Sequence, residues 1–167
     1  MPNDEGVAPQ VSDEVPSNML ADWNIRIARA SDLEHVLALY RQLNPADPVL
    51  AREIADTIWR EITDTPGTSV LLGSVGDRVV TTCMLILVRN LTRGGRPFAI
   101  IENVVTDSAH RRRGFGTLIL AAAVDRAWSM DCYKVVLTTG STRPSTWEFY
   151  ESAGFKRGTR TAFEMRR

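Results

Sequence analysis

Several features that mark common protein classes are scarce in this chain of 167 residues. The two cysteines, Cys83 and Cys132, show neither a CxxC spacing nor a framework of pairs, which argues against disulfide bridges and a structural zinc site. We expect both to be small buried side chains in a reducing compartment. No apolar run approaches the roughly 20 residues of a membrane span, and no basic segment followed by an apolar one begins the chain. The sequence therefore predicts a cytoplasmic protein with no membrane segment.

A net charge is also lacking, because 20 Lys plus Arg offset 20 Asp plus Glu. No overall field attracts nucleic acid or an anionic membrane, so a basic cluster must act locally. The two histidines, His35 and His110, have no cluster of ligating side chains beside them. We expect neither a bound metal nor a catalytic histidine.

The domain organisation is simple. Residues 1–22 contain three prolines among polar side chains, a mixture too poor in apolar groups to offset the entropy of ordering it. We expect a flexible tail there and a single domain over residues 23–167, since 44% hydrophobic residues supply a sizeable core. No internal repeat and no second domain boundary is evident.

Residues 23–63 follow a strand–helix–helix pattern. Trp23 to Ala28 predicts a strand, after which Ser31 is expected to cap a helix. Apolar side chains recur at helical spacing in that first helix, and at intervals of four in a second helix over residues 49–63. The first set is Leu33, Val36, Leu37 and Tyr40, and the second is Leu50, Ile54, Ile58 and Ile62.

The rest of the chain predicts a meander followed by helix, strand and helix. Three segments rich in branched apolar residues are separated by Gly76-Asp77 and Gly94-Gly95 turns, which favours antiparallel strands. These strands are Val70 to Val75, Val79 to Val88 and Phe98 to Thr106. A helix from Gly114 to about Met130, a buried strand from Tyr133 to Thr139 and a short helix from about Ser145 to Ser152 complete the order.

The most informative segment is the connection from Val104 to Thr117. An apolar strand stops at Asp107, and a turn with three arginines and two glycines leads into the long helix. Glycines allow a tight turn and a close ligand approach, while the free amides and positive dipole end of the helix attract a polyanion. We interpret the turn as a pyrophosphate site, with a solvated run of arginines as the alternative. A dinucleotide-binding Rossmann unit would place such a turn after an early strand, whereas this one follows antiparallel strands.

The order of elements, this turn and the later Phe149-Tyr150-Glu151-Ser152-Ala153-Gly154-Phe155 segment resemble the GNAT superfamily of N-acetyltransferases, from roughly Asn24 to the C-terminus. Arg111, Gly114 and Gly116 match every fixed position of the family's turn pattern. The resemblance implies an α/β fold, with a mixed central sheet of about six to seven strands flanked by about four helices. It also implies transfer of the acetyl group of acetyl-CoA, as cosubstrate, to a primary amine by direct attack in a ternary complex, without a metal.

The resemblance assigns cofactor-binding residues as well. It places the pantetheine arm of acetyl-CoA against the main chain of Val104, Val105 and Thr106. The phosphates then lie against the turn, mostly at backbone N–H groups, with arginine side chains adding charge-assisted bonds. The turn residues are Arg111, Arg112, Arg113, Gly114, Phe115, Gly116 and Thr117.

Two side chains are the catalytic candidates. Tyr150 matches the family's tyrosine, which lies near the thioester sulfur and acts as general acid; the alternative is an aromatic that only packs its helix. Glu102 is a candidate base, because a carboxylate in the middle of an apolar strand is costly to bury without a purpose. It could instead pair with an arginine, and several family members use only a water chain. The resemblance places the oxyanion donor at an amide near Val104 or Val105, where the strand ladder is locally broken.

One cofactor contact and the acceptor stay open. Many relatives carry an asparagine seven residues before the tyrosine, which contacts the pantetheine region, where this chain has Arg143. Arg143 or Thr142 could replace that contact, or Arg143 could face the adenosine phosphates or an anionic acceptor. The resemblance places the acceptor near residues 44–49, 89–96 and 157–163, and a small-molecule amine is our preferred acceptor. Short strings around residues 101–105 and 132–134 are similar to the glucosamine-phosphate acetyltransferase branch.

Other functions are open too. A non-catalytic acyl-CoA sensor of the same fold is the main alternative, and nucleic-acid binding through the arginines is a weaker one. A homodimer is possible, as is common in the family.

Overall fold

A computed structural model describes residues 22–167, and in this range the chain forms five strands and four α-helices. The strands are β1 (Trp23–Ile27), β2 (Thr68–Val75), β3 (Arg78–Val88), β4 (Phe98–Thr106) and β5 (Val135–Leu137). The helices are α1 (Leu33–Leu43), α2 (Arg52–Asp64), α3 (Phe115–Ser129) and α4 (Pro144–Ser152). The expected flexible tail, residues 1–22, lies outside the described residues except for Asp22.

The strands form one mixed sheet in the order β1-β2-β3-β4-β5. Neighbours from β1 to β4 are antiparallel, which confirms the meander, and β5 is parallel to β4. The expected fold class is confirmed, but the sheet has five strands in the described part rather than six to seven. After α4 the chain forms no strand and is exposed from Lys156 to Arg167, and β5 spans only Val135–Leu137 instead of residues 133–139. So short a strand leaves little edge on which a further strand can pair.

Helices cover both faces of the sheet. α3 packs on one face, where Ile119, Leu120 and Ala123 are fully buried against side chains of β2, β3 and β4. α1 and α2 pack on the other face through a second cluster that includes Val36, Trp59 and Leu72. α4 adds Phe149, Tyr150 and Ala153 to the α3 side. Among the helices described, none combines the length and apolar character that crossing a bilayer requires.

One local prediction about the helices is wrong. Ser31 does not cap α1, because it lies inside a 3-10 turn, Ala30–Asp32, that precedes the helix. In α2 the apolar residues at intervals of four do not form the main buried face: Ile54 is 51% and Ile58 41% exposed, and only Ile62 packs against a core cluster. Ala55 and Trp59 form the buried face instead, because the Trp59 indole donates to the carbonyl oxygens of Arg29 and Ala30 at 3.2 and 3.1 Å. The expected burial of Cys83 and Cys132 is confirmed.

Candidate active site

β4 and β5 pair over only part of the length of β4. Their parallel register ends at the pair Ile101 and Leu137, while β4 continues to Thr106. Within residues 22–167, no strand pairs with the remaining five residues of β4 on that side. Main-chain N–H and C=O groups of this stretch are therefore available to an extended ligand.

A β-bulge lies at the same position on the other side of β4. β3 pairs Thr82 with Val105 and Met84 with Glu102, so two residues of β4, Asn103 and Val104, lie opposite one residue of β3. Asn103 has a φ of +53°, a left-handed conformation that is uncommon outside glycine. The ladder break expected near Val104 or Val105 is thus present.

The bulge also overrides the strict alternation of β4 side chains. Alternation would place Ile101 and Val104 on opposite faces, yet both pack against the cluster on the α3 side. Glu102 pairs in register with Met84, which belongs to the α1 side of the sheet. Strict alternation would place Glu102, the candidate base, and Val104 on the same face of the sheet. Because of the bulge they lie on opposite faces.

The turn after β4 presents backbone amides at the start of α3. Asp107 leads into a 3-10 turn, Ser108–His110, and the chain then takes left-handed conformations at Arg112 (φ +57°) and Gly114 (φ +76°). α3 begins at Phe115, and its first intrahelical bond runs from the N–H of Leu118 to the carbonyl of Gly114. The amides of residues 115–117 therefore have no acceptor within the helix. They point from the positive end of a helix of 15 residues.

The side chains of this turn differ in their contacts and exposure, and so in whether they can reach a ligand. The guanidinium Nε of Arg111 donates to the carbonyl of Thr106 at 3.0 Å and so holds the turn against the end of β4. Arg112 and Arg113 are exposed. The Phe115 ring is buried and stacks on Trp23 with ring centroids 4.9 Å apart, so only its main chain can meet a ligand.

Tyr150 and Glu102 lie close enough to influence each other. Burial raises the pKa of Tyr150, and the negative charge of Glu102 raises it further. The Tyr150 ring packs against Phe149 and Phe155, with centroids 4.9 and 6.5 Å away. A phenol with a raised pKa stays protonated at neutral pH and can donate a proton.

Sequence reasoning missed a polar cluster between α1 and the turn. Gln42 and Asp107 meet there, and Nδ1 of His110 donates to Oδ1 of the Asp107 carboxylate at 2.8 Å. These hydrogen bonds lower the pKa of Asp107 to about 2, with the bond to His110 the largest cause and the bond to Gln42 the next. Tyr40, treated as an apolar position of α1, is buried as well: burial raises its pKa to about 12, while a side-chain hydrogen bond with Asn103 acts in the opposite direction.

The segments suggested for the acceptor lie in different parts of the structure. Residues 44–49 follow α1 directly, close to Gln42 and its contacts with the turn, whereas residues 89–96 join β3 to β4 at the opposite end of β4 from the turn. Arg96 there is bound to Asp131 at 3.0 Å. Arg143 immediately precedes α4, and Arg157 lies over the Trp147 ring, 4.8 Å from its centroid.

Comparison with known proteins agrees with this geometry. The model of the acetyltransferase (GNAT) family matches residues 33–155. A glucosamine 6-phosphate N-acetyltransferase of Trypanosoma brucei brucei is 30% identical over 137 residues, which cover 82% of this chain and 91% of that protein. A probable glucosamine 6-phosphate N-acetyltransferase 2 of Oryza sativa subsp. japonica is 30% identical over 137 residues, covering 78% of this chain and 80% of that protein.

A solved structure extends the agreement to three dimensions. The structure of a putative acetyltransferase from Agrobacterium tumefaciens str. C58 superposes with a TM-score of 0.83 and 40% sequence identity, covering 86% of this chain and 99% of that one. The open side of β4, the bulge and the glycine turn thus occur in a chain that matches the acetyltransferase family model and the acetyltransferases named above. The chain belongs to the GNAT family of acetyltransferases, and it is an acyltransferase.

Proposed function

We propose that this protein transfers the acetyl group of acetyl-CoA to the primary amine of a small molecule, and that the acceptor is an amino sugar phosphate of the glucosamine 6-phosphate type. The observation that supports it most is the separation of β4 from β5 at Ile101 and Leu137, beside a bulge and directly before a glycine turn. This arrangement offers strand main chain and helix-start amides in sequence, as the pantetheine arm and pyrophosphate of acetyl-CoA require. The relatives named above support the acceptor class.

The cofactor is held mainly by main-chain groups in this proposal. Val104, Val105 and Thr106 hydrogen-bond the pantetheine arm in the open side of β4. The amides of Gly114 to Thr117 bind the pyrophosphate, and the exposed Arg112 and Arg113 add charge. No metal enters the reaction as proposed.

The chemical step needs three groups. The neutral amine form of the acceptor attacks the thioester carbon, and Glu102 accepts the proton that the nitrogen loses as the C–N bond forms. An amide of the bulge, at Val104 or Val105, stabilises the oxyanion as the C–N bond forms. The C–S bond then breaks, and Tyr150 gives its proton to the departing CoA thiolate. The raised pKa of Tyr150 supports this role, because it keeps the proton on the phenol until the thiolate forms.

Thiol release tests the proposal directly. The full chain is mixed with acetyl-CoA and glucosamine 6-phosphate, and free CoA thiol is followed with a thiol-reactive dye. Glucose 6-phosphate is the matched control, since it keeps the phosphate and lacks the amine. We expect thiol release that depends on the amine. Mass spectrometry should identify the product as the acceptor in which an acetyl group replaces one hydrogen atom of the amine.

The main alternative, a non-catalytic acyl-CoA sensor, predicts a different result. Such a protein would bind CoA in calorimetry but release no thiol with glucosamine 6-phosphate or with a panel of other amines. Release with another amine alone would retain the acetyl transfer and overturn the amino sugar phosphate.

A further inference from the structure

The side chain of Gln42 joins the last turn of α1 to the connection between β4 and α3. Its Nε2 donates to Oδ2 of Asp107 at 3.0 Å, and its Oε1 accepts from the backbone N–H of Ser108 at 2.8 Å. The two ends of one amide are thus both used, across 65 and 66 residues of sequence. This pair of hydrogen bonds joins α1 to the β4–α3 connection, two elements that are far apart in the sequence.

Asp107 has further contacts that connect Gln42 to the rest of the turn. Its Oδ1 accepts from the backbone N–H of Ala109 at 3.1 Å and contacts His110 Nδ1 at 2.8 Å, while Arg78 lies 3.6 Å from Oδ2. Asp107 is therefore ionised and fully partnered. Its own N–H donates to the carbonyl of Val80 at 2.8 Å, so the direction in which the chain leaves the sheet is fixed.

The residues that follow need such support. Arg112 adopts a left-handed conformation, which a non-glycine residue holds only when its surroundings impose it. One end of the turn is held by the bond from Arg111 to Thr106. The other constraint is the bond pair of Gln42, which fixes Asp107 and Ser108 at the start of the 3-10 turn.

We propose that Gln42 is a positioning residue for the cofactor turn: it holds Asp107 and Ser108 so that the amides at the start of α3 are already oriented for the pyrophosphate. Gln42 does not touch the ligand. It acts from α1, on the far side of the β4–α3 connection. The inference rests on the proposed binding of acetyl-CoA at this turn.

The surroundings of Gln42 make the test practical. Its side chain is half-buried and lines an open cavity of about 430 Å³, together with His35, Asp77, Arg78 and Asp107. Replacing Gln42 by methionine keeps the length of the side chain, removes both hydrogen bonds and leaves no void in either core cluster. Arg41→Met is the matched control, because Arg41 is the neighbouring exposed residue of α1.

The measurement is the Kd of CoA for the full chain by calorimetry, with the melting temperature of each variant alongside. We expect Gln42→Met to weaken CoA binding on the order of tenfold, as loss of about 1.4 kcal/mol does. Arg41→Met should leave the Kd within about twofold of the parent, as expected for an exposed position. A lower melting temperature for Gln42→Met with an unchanged Kd would mean that Gln42 only stabilises the fold, and would overturn the inference.

Gln42→Glu supplies a second readout that a purely structural role would not produce. A carboxylate there accepts from Ser108 but repels the ionised Asp107, whereas a protonated carboxyl group donates to Asp107 as the amide does. Relative to the parent protein at each pH, CoA binding should be weak at pH near 8 and recover towards pH near 5, on either side of a carboxyl pKa raised by its neighbour. His35, Asp77 and Arg78 face the same cavity as Gln42, and His110 binds Asp107. These groups are present in both proteins, so the ratio to the parent cancels the pH dependence that the two proteins share. A pH-independent ratio contradicts the inference.

The two proposals fail in different ways. If the parent protein itself gives no heat with CoA, the proposed function is wrong and Gln42 has no cofactor to position. If the parent binds CoA and both Gln42 variants bind it equally well over the pH range, only the role of Gln42 is wrong.

Discussion

Gly116 lies against the ring of Phe149: a Cβ built on Gly116 would come within 3.0 Å of both Cε2 and Cζ of that ring. The first turn of α3 and the middle of α4 therefore approach each other more closely than any residue larger than glycine allows without movement. Phe149 in turn contacts Tyr150, with ring centroids 4.9 Å apart. The glycine of the cofactor turn thus sets the position of the candidate acid as well as the path of the main chain.

A substitution at Gly116 should therefore affect both cofactor binding and catalysis. Gly116→Ala forces the Phe149 ring to shift by a few tenths of an ångström, and Gly116→Val forces a larger shift. We expect CoA binding to weaken roughly tenfold for the alanine variant and further for valine, since overpacking costs about 1–3 kcal/mol. Calorimetry with CoA measures this directly.

The double variant Gly116→Ala with Phe149→Leu is the control for the Gly116 prediction. Leucine removes the ring atoms that the new Cβ would meet, so part of the lost affinity should return. Strictly additive losses would show that the Gly116–Phe149 contact is not the cause.

Gly73 offers a matching prediction for stability alone. A Cβ at Gly73 would overlap the Trp23 ring and come within 2.7 Å of Thr81 Cγ2, in the middle of the sheet. Trp23 cannot move freely, because it stacks on the buried Phe115. We expect Gly73→Ala to lower the free energy of unfolding by about 2–3 kcal/mol, measured by urea denaturation. An unchanged midpoint would show that the β1–β2 packing is looser than the structure indicates.

Local sequence patterns predicted the elements well, whereas features that depend on distant residues were missed. The glycine turn before α3 and the turns of the meander are set by residues next to each other in the sequence. Gly114 and Gly76-Asp77 therefore predict them from the sequence alone. The bulge at Asn103 depends on the register between β3 and β4, which no short window contains. The contact of Gln42 with Asp107 joins residues 65 apart. In α2, the periodicity of the apolar residues identifies one helical face. It does not show that the face with Ala55 and Trp59 packs on the sheet, because that depends on the hydrogen bonds of the Trp59 indole to Arg29 and Ala30.

The low pKa of Asp107 predicts a loss of stability in acid. In the unfolded chain this carboxyl group has its ordinary pKa of 3.8, and folding lowers the pKa to about 2. The stabilisation is therefore fully present above pH about 4 and is lost as the pH falls from about 4 towards 2. Asp107→Asn should lower the melting temperature at pH 7, and the difference from the parent protein should shrink across that acid range.

Differential scanning calorimetry at a series of pH values checks the prediction for Asp107. Glu148→Gln is a suitable control, since it removes a carboxylate from the exposed side of α4. A difference between Asp107→Asn and the parent that stays constant down to pH about 2 would contradict the assigned partners of Asp107.

Tyr150→Phe should separate proton donation from binding. The variant keeps the ring and its packing against Phe149 and Phe155, so the Kd of CoA should stay within about twofold. If Tyr150 protonates the thiolate, kcat should fall by a factor of about 10² or more. Tyr133→Phe is the matched control, because it removes a hydroxyl from a tyrosine that packs on Phe98 near the other end of β4. Equal kcat values for the two variants would leave Tyr150 as a packing residue only.

Glu102→Gln distinguishes a carboxylate base from a water chain, and the size of the rate loss carries the decision. A general base contributes roughly 10²–10⁴ in rate, so a catalytic Glu102 predicts a fall of that size in kcat/KM for the acceptor. The charge of Glu102 also raises the pKa of Tyr150. Removing that charge should therefore move the alkaline limb to lower pH, because the phenol loses its proton sooner. If a water chain is the base, the rate falls only severalfold, while the shift of the alkaline limb remains. That shift depends on the proximity of Glu102 to Tyr150 and not on which group accepts the proton.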